Sequence, residues 1–457
     1  MTPPVAPPSP LDRTRTPAPG QRRPFRLPDF TTANLDNGLR LLLAPLHSVP
    51  LATATVMMPG GGQYAPPDRP GLPSLHGELL DEGAHGRSAM DIARDIERLG
   101  GGLQSTASWN MTRVEIDVLA RHLDPGLDLM ARVALDADFP EAEIERSREE
   151  QVAELLRRRA VPRNLAEDAF NFAVYADTVY AHPLPGTADS LRAIDRDDIL
   201  RFHRRHAVPR GGAVVAVGDF EPARLVERFR ETFAGWTADE EPPQPEIRPV
   251  PLDGTRVFLV DRPKAAQTQL LIGHRCLPRR HPDYHALMVM NVLFGGKFTS
   301  RVNLNLRERH GFTYGANSFL VRRRGPGPFY VRTAVANDVV GAATRETLTE
   351  LRRLQQDLVE EEELRETQDY ILGLFPLTRQ TIREISDSLQ ALVIFDLPDD
   401  HFERFPAVLG EVTREDILDT AQRHLHPDAI AIVAVGPAAE LRPQLEGFGP
   451  IETIDLP

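Results

Sequence analysis

Between residues 74 and 85 the chain reads Ser74-Leu75-His76-Gly77-Glu78-Leu79-Leu80-Asp81-Glu82-Gly83-Ala84-His85, which sets imidazoles and carboxylates close together. Histidine with carboxylate at helical spacing is the raw material of a zinc site, whereas carboxylates alone suit harder cations. The spacing here is wrong for zinc. On a helix His76 and Glu78 point roughly 200° apart, so they do not converge, while Glu78 and Glu82 share a face. Making His76 a first ligand would put the second at Leu80. A later acidic stretch, Glu149-Glu150-Gln151-Val152-Ala153-Glu154, adds a distant carboxylate at Glu154. Glu78, Glu82 and Glu154 would make an oxygen-only set with no imidazole beside it. Helix surface or ion pairing is the favoured reading of all three, and His76 reads as an ordinary surface or packing histidine.

Other chemistry is sparse. The single cysteine, Cys276, excludes an intrachain disulfide and a thiolate cluster, and no motif marks it as a nucleophile. Phe294-Gly295-Gly296 lacks the Lys-Ser/Thr ending of a phosphate loop. Arg322-Arg323-Arg324 has no interleaved aromatic residue and reads as solvent-facing or partner-facing charge. The formal net charge of −13 argues against nucleic acid as a partner. No apolar run is long enough for membrane insertion, and residues 1–28, rich in proline and arginine, have no apolar core of a signal peptide. They read as a disordered or surface-draped extension, and a cytoplasmic location is expected.

The elements that must position these residues are readable. Leu39–Ala44 and Leu51–Met58 are strand candidates, and 72–82 reads as a helix. Ser88 with Asp91 caps a second helix that ends at Gly100-Gly101-Gly102. Val114, Ile116 and Val118 alternate with Arg113, Glu115 and Asp117, which predicts a strand with one wet face. The charge-rich stretch 141–159 is a helix.

An internal echo organises the whole chain. Asp198-Ile199-Leu200 recurs as Asp416-Ile417-Leu418, Arg205-His206 as Arg423-His424, and the strand 213–218 as 431–436, each 218 residues on. Two α+β units follow, each a mixed or mainly antiparallel β-sheet packed against α-helices, at residues 29–238 and 251–457. The proline-rich segment 239–250 joins them as a stiff linker.

The landmarks Asn37-Gly38-Leu39, Gly71-Leu72, Arg87-Ser88, Phe139-Pro140, His182-Pro183-Leu184, Val217-Gly218-Asp219 and Arg307-Glu308 with Tyr314 occur in this order. Together they resemble the pitrilysin-like (M16) metallopeptidases over nearly all of residues 30–445. That family carries an inverted zincin motif, His-x-x-Glu-His, with a further carboxylate about 76 residues on. Its two histidines bind zinc, and the intervening glutamate is the general base. Anchored on Gly71-Leu72, those positions here are Ser74, Gly77 and Glu78, with Glu154 as the distant carboxylate. Two ligands and the base are therefore missing.

What the resemblance implies is a non-catalytic M16 subunit. It would hold no metal, and zinc is expected in a catalytic partner with an intact motif. Gln104, Ser105, Thr106, Ala107, Ser108 and Trp109 correspond to the strand and loop that bind peptide backbone in the family. Arg307 and Tyr314 correspond to residues that support hydrolysis, so the chain would complete a chamber for unfolded peptides or small polypeptides. A homo-oligomeric peptide-binding scaffold, or a homodimer, is the first alternative. A divergent metallopeptidase using Glu78, Glu82 and Glu154 is the second.

Overall fold

The computed structural model describes residues 25–455 apart from 177, 239 and 249. Most of the expected N-terminal extension, residues 1–24, thus lies outside the described residues. Residues 25–28 do not belong with it. Leu27 is buried in the core, and the Phe25 ring meets Phe375 edge-on at 4.9 Å.

The first half contributes β1 (Thr31–Asn34), β2 (Arg40–Pro45), β3 (Leu51–Met58), the short pair β4 (Gly83–Ala84) and β5 (Arg87–Ser88), β6 (Gly102–Ala107), β7 (Thr112–Leu119) and β8 (Ala213–Gly218). The second contributes β9 (Arg256–Asp261), β10 (Gln267–Arg275), β11 (Ala316–Leu320), β12 (Pro328–Ala336), β13 (Ala431–Gly436) and β14 (Ile451–Thr453). Two six-stranded sheets result, ordered β1-β2-β8-β3-β7-β6 and β14-β9-β13-β10-β12-β11. The strands echoed in sequence occupy matching places. β8 runs parallel to β2 and β13 parallel to β9, and each is antiparallel to the next strand, β3 or β10. Only the outermost strands differ, since β1 is antiparallel to β2 and β14 parallel to β9.

Five helices of the first half matter here: α1 (Leu72–Leu79), α2 (Ala89–Arg98), α3 (Leu123–Leu135), α4 (Glu141–Ala160) and α5 (Pro162–Tyr175). α1 stops three residues short of the expected end. Ser88 caps α2 with Asp91 in the reciprocal arrangement the sequence predicted.

The halves exchange helices. α5 lies on β10 and β13 of the second sheet, while the helix Ile382–Ile394 lies on β3 and β8 of the first. This explains why β8 reads Ala-Val-Val-Ala-Val-Gly without alternation. Val214 and Ala216 face their own domain's core, and Ala213, Val215 and Val217 face a core shared with Leu389 and Leu392. A strand covered on both sides needs apolar residues on both.

The exchange also corrects two expectations. The polar face of β7 is wet only in part: Asp117 is half exposed but Glu115 is 6% exposed, and Arg383 from the second domain donates to Glu115 Oε1 over 2.6 Å and to Asp117 Oδ2 over 2.5 Å. Nor does the arginine run face solvent throughout. Arg323 is buried, with its guanidinium over the rings of Tyr180 at 4.1 Å, Trp109 at 4.9 Å and Tyr175 at 5.1 Å. Arg324 Nη2 donates to Val393 O over 3.1 Å at the end of Ile382–Ile394, where cationic groups are stabilised. Cation–π stacking and C-terminal capping replace hydration for both.

Candidate functional site

α1 packs between the β6 end of the first sheet and α4. Ser74 and His76 are buried, and Glu78 stands at the exposed rim. Gly77 is where α1 comes closest to the sheet. A Cβ there would lie 2.6 Å from Ala107 N and 2.9 Å from Thr106 C, distances that real side chains do not adopt. Packing against the β6 backbone therefore leaves no room for a side chain at this position.

The carboxylates around it are spoken for. Gln151 Nε2 donates to Glu78 Oε2 over 2.6 Å. Desolvation pushes the Glu78 carboxyl upward, the Gln151 bond opposes this, and Glu150, Asp81 and Glu82 add to the rise. Arg146 binds Glu82 at 2.6 Å, Glu143 at 2.7 Å and Glu150 at 3.0 Å, so one guanidinium bridges three of the carboxylates. Glu154 points outward, 65% exposed, with Arg157 at 2.8 Å. The α4 side chains that turn inward are Ile144, Ser147, Gln151 and Leu155. Ser105 Oγ donates to Asp81 Oδ1 over 2.5 Å, and burial raises the Asp81 carboxyl as well. Among the described residues, Glu78, Glu82 and Glu154 do not bring three ligand atoms together. Zinc does not fit these residues, which offer it no converging ligands and no imidazole.

His76 lies on the opposite side of α1, against Phe139 and Phe202. Its Nε2 is 3.0 Å from His203 Nδ1, and one proton serves that contact. Its own Nδ1 has no partner among the described residues. Desolvation first, then His203 and His206, hold its pKa well below the ordinary value. It is a packing histidine.

β6 is the edge of its sheet. Gln104 is exposed there, Thr106 Oγ1 accepts from Arg113 Nε over 3.2 Å, and Ala107 lies under Gly77. Ser108 and Trp109 do not continue the edge. Ser108 Oγ ties a turn by donating to Met111 O over 3.0 Å, and the Trp109 ring meets Tyr180 edge-on at 4.9 Å in the cage around Arg323. Interdomain packing thus takes Trp109 away from a peptide-anchoring role.

In the second domain, Arg307 sits on a wide helical turn, 304–309, with its guanidinium 4.6 Å from the Phe298 ring centroid and Nη1 unpartnered among the described residues. Tyr314 is 93% exposed and Phe298 65%. Gly295 is needed for packing, since a Cβ would reach Ser318 N at 2.5 Å. Cys276 is buried and its thiol is pushed up to about 12 by desolvation, which makes it inert. Among the described residues no helix is long and apolar enough to cross a membrane.

Two six-stranded sheets related by an internal repeat, each roofed by the other's helix, define a two-domain peptidase-like architecture. Residues 40–187 match the model of the insulinase family (peptidase family M16), and residues 193–371 match that of the peptidase M16 inactive domain. The chain belongs to the M16 peptidase family. It is 28% identical over 291 residues to an uncharacterized zinc protease of Streptomyces coelicolor, covering 62% of this chain and 63% of that one. It is 21% identical over 414 residues to an uncharacterized zinc protease of Rickettsia bellii, covering 90% and 98%. A solved peptidase M16 inactive domain from Pseudomonas fluorescens superposes with a TM-score of 0.83 at 22% identity, over 90% of this chain and 98% of that one.

Proposed function

We propose that this chain is the non-catalytic subunit of an M16-type peptidase pair. It walls a chamber that holds extended peptides, and an intact-motif partner supplies zinc and the general base. The observation that carries this reading is Gly77, whose place against Ala107 and Thr106 leaves no room for the side chain that activates water. The exposed edge of β6 at Gln104 offers backbone groups for strand addition. In the second domain Tyr314, 93% exposed, offers its phenol to a peptide carbonyl, with Arg307 held against the Phe298 ring in support. A cytoplasmic site of action goes with this reading.

Size-exclusion chromatography of the chain mixed with an intact-motif relative from the same organism tests it. A heterodimer that hydrolyses peptides faster than the relative alone is the expected result. A stable homodimer that binds peptides and ignores the relative would favour the scaffold reading instead.

A further inference from the structure

In the second domain two neighbouring side chains meet a third that lies more than a hundred residues on. His281 and Asp283 lie just before the helix Tyr284–Asn291, and His424 ends the helix Arg414–His424. One potential ligand atom from each lies within 4.8 Å of the other two, and no other trio of described His, Cys, Asp or Glu residues does so. Asp283 Oδ2 is 2.7 Å from His424 Nε2 and 3.8 Å from His281 Nδ1. The two imidazole rings are 5.3 Å apart. The Asp283 backbone N–H donates to His281 Nδ1 over 3.2 Å, so a metal bound at that nitrogen would have to displace this hydrogen bond. The side chains are 32%, 18% and 15% exposed, held by packing yet reachable from solvent.

We propose that His281, Asp283 and His424 form a binding site for a divalent transition metal of the zinc type. Two imidazoles and one carboxylate are the borderline nitrogen and oxygen donors that zinc prefers, and three protein ligands leave a position for water. Ligand bonds of about 2.0–2.2 Å require donor atoms roughly 3–3.5 Å apart, which small side-chain rotations reach from the distances above.

Arg423 is the competitor. Its Nη1 is 2.6 Å from Asp283 Oδ2, but the side chain is 55% exposed. A metal would release it at the small cost of a surface ion pair. This gives the site a signature that an ordinary ion pair lacks, because removing Arg423 should strengthen metal binding.

The test is calorimetric titration of the tag-free, EDTA-stripped full chain with zinc sulfate, followed by cobalt chloride for visible d–d bands. The expected result is one equivalent bound, weakened about tenfold or more by Asp283→Asn and by His424→Ala. Arg423→Ala should tighten it severalfold, and Glu78→Gln or Glu154→Gln should leave it unchanged. If His424→Ala does not fold, His281→Ala in the loop serves the same purpose. Absence of saturable binding, or binding unaltered by Asp283→Asn, would overturn the proposal. Binding lost in Glu78→Gln but kept in Asp283→Asn would overturn it together with the proposed function. Loss confined to Asp283→Asn and the histidine variants leaves that function standing.

Discussion

The two homologous halves treat their polar side chains differently. In the first, the acids at and after α1 have partners, Glu78 with Gln151, Asp81 with Ser105 and Glu82 with Arg146, and Gly77 is closed against the β6 backbone. In the second, Tyr314 projects into solvent and Arg307 keeps an unpartnered nitrogen. Around α1 packing and ion pairs engage the polar side chains, while Tyr314 of the second half stands exposed.

The comparison is broken most forcefully by pH. His206 in the first half and His274 in the second are both lowered to about 4, mainly by desolvation. Each folded value lies below the unfolded 6.5, so the unfolded chain binds more protons between the two. Stability is complete above about pH 6.5 and falls as the pH drops toward 4, with a contribution on the order of 3 kcal/mol from His274 alone. Urea midpoints at pH 7 and pH 5 should show the fall. A flat profile would mean these rings are hydrated.

A smaller effect is expected at Gly77. Gly77→Ala pushes a methyl group onto the β6 backbone and should cost about 1–3 kcal/mol, although alanine is ordinarily the better helix residue. A neutral or stabilising result in thermal unfolding would show that α1 moves freely away from the sheet. Arg383→Ala should cost on the order of 2 kcal/mol by depriving the buried Glu115 carboxylate of its charged partner across the domains. Glu154→Gln should stay within about 0.5 kcal/mol of wild type, since an exposed ion pair is worth little. A large loss there would mean Glu154 still holds something the other half of the old site provides.

Much of this was legible in the residues. The echo of 198–218 in 416–436 foretold two like domains, and Ser88 with Asp91 foretold the start of α2, because capping and repetition are local. The helix exchange was not legible. It turned the apparently wet face of β7 into a seam with Arg383 and buried Arg323 among Trp109, Tyr175 and Tyr180. Alternation reports that one face is polar, and a polar face can meet a charged helix as well as water. The meeting of His281 and Asp283 with His424 was equally hidden, for it depends on tertiary contact across more than a hundred residues.

Peptide hydrolysis by the isolated chain at saturating zinc tests most directly the proposed inability of the first-domain site to catalyse. No turnover above buffer is predicted, with no change in Glu78→Gln or Glu154→Gln. Zinc-dependent turnover that either substitution abolishes would contradict it.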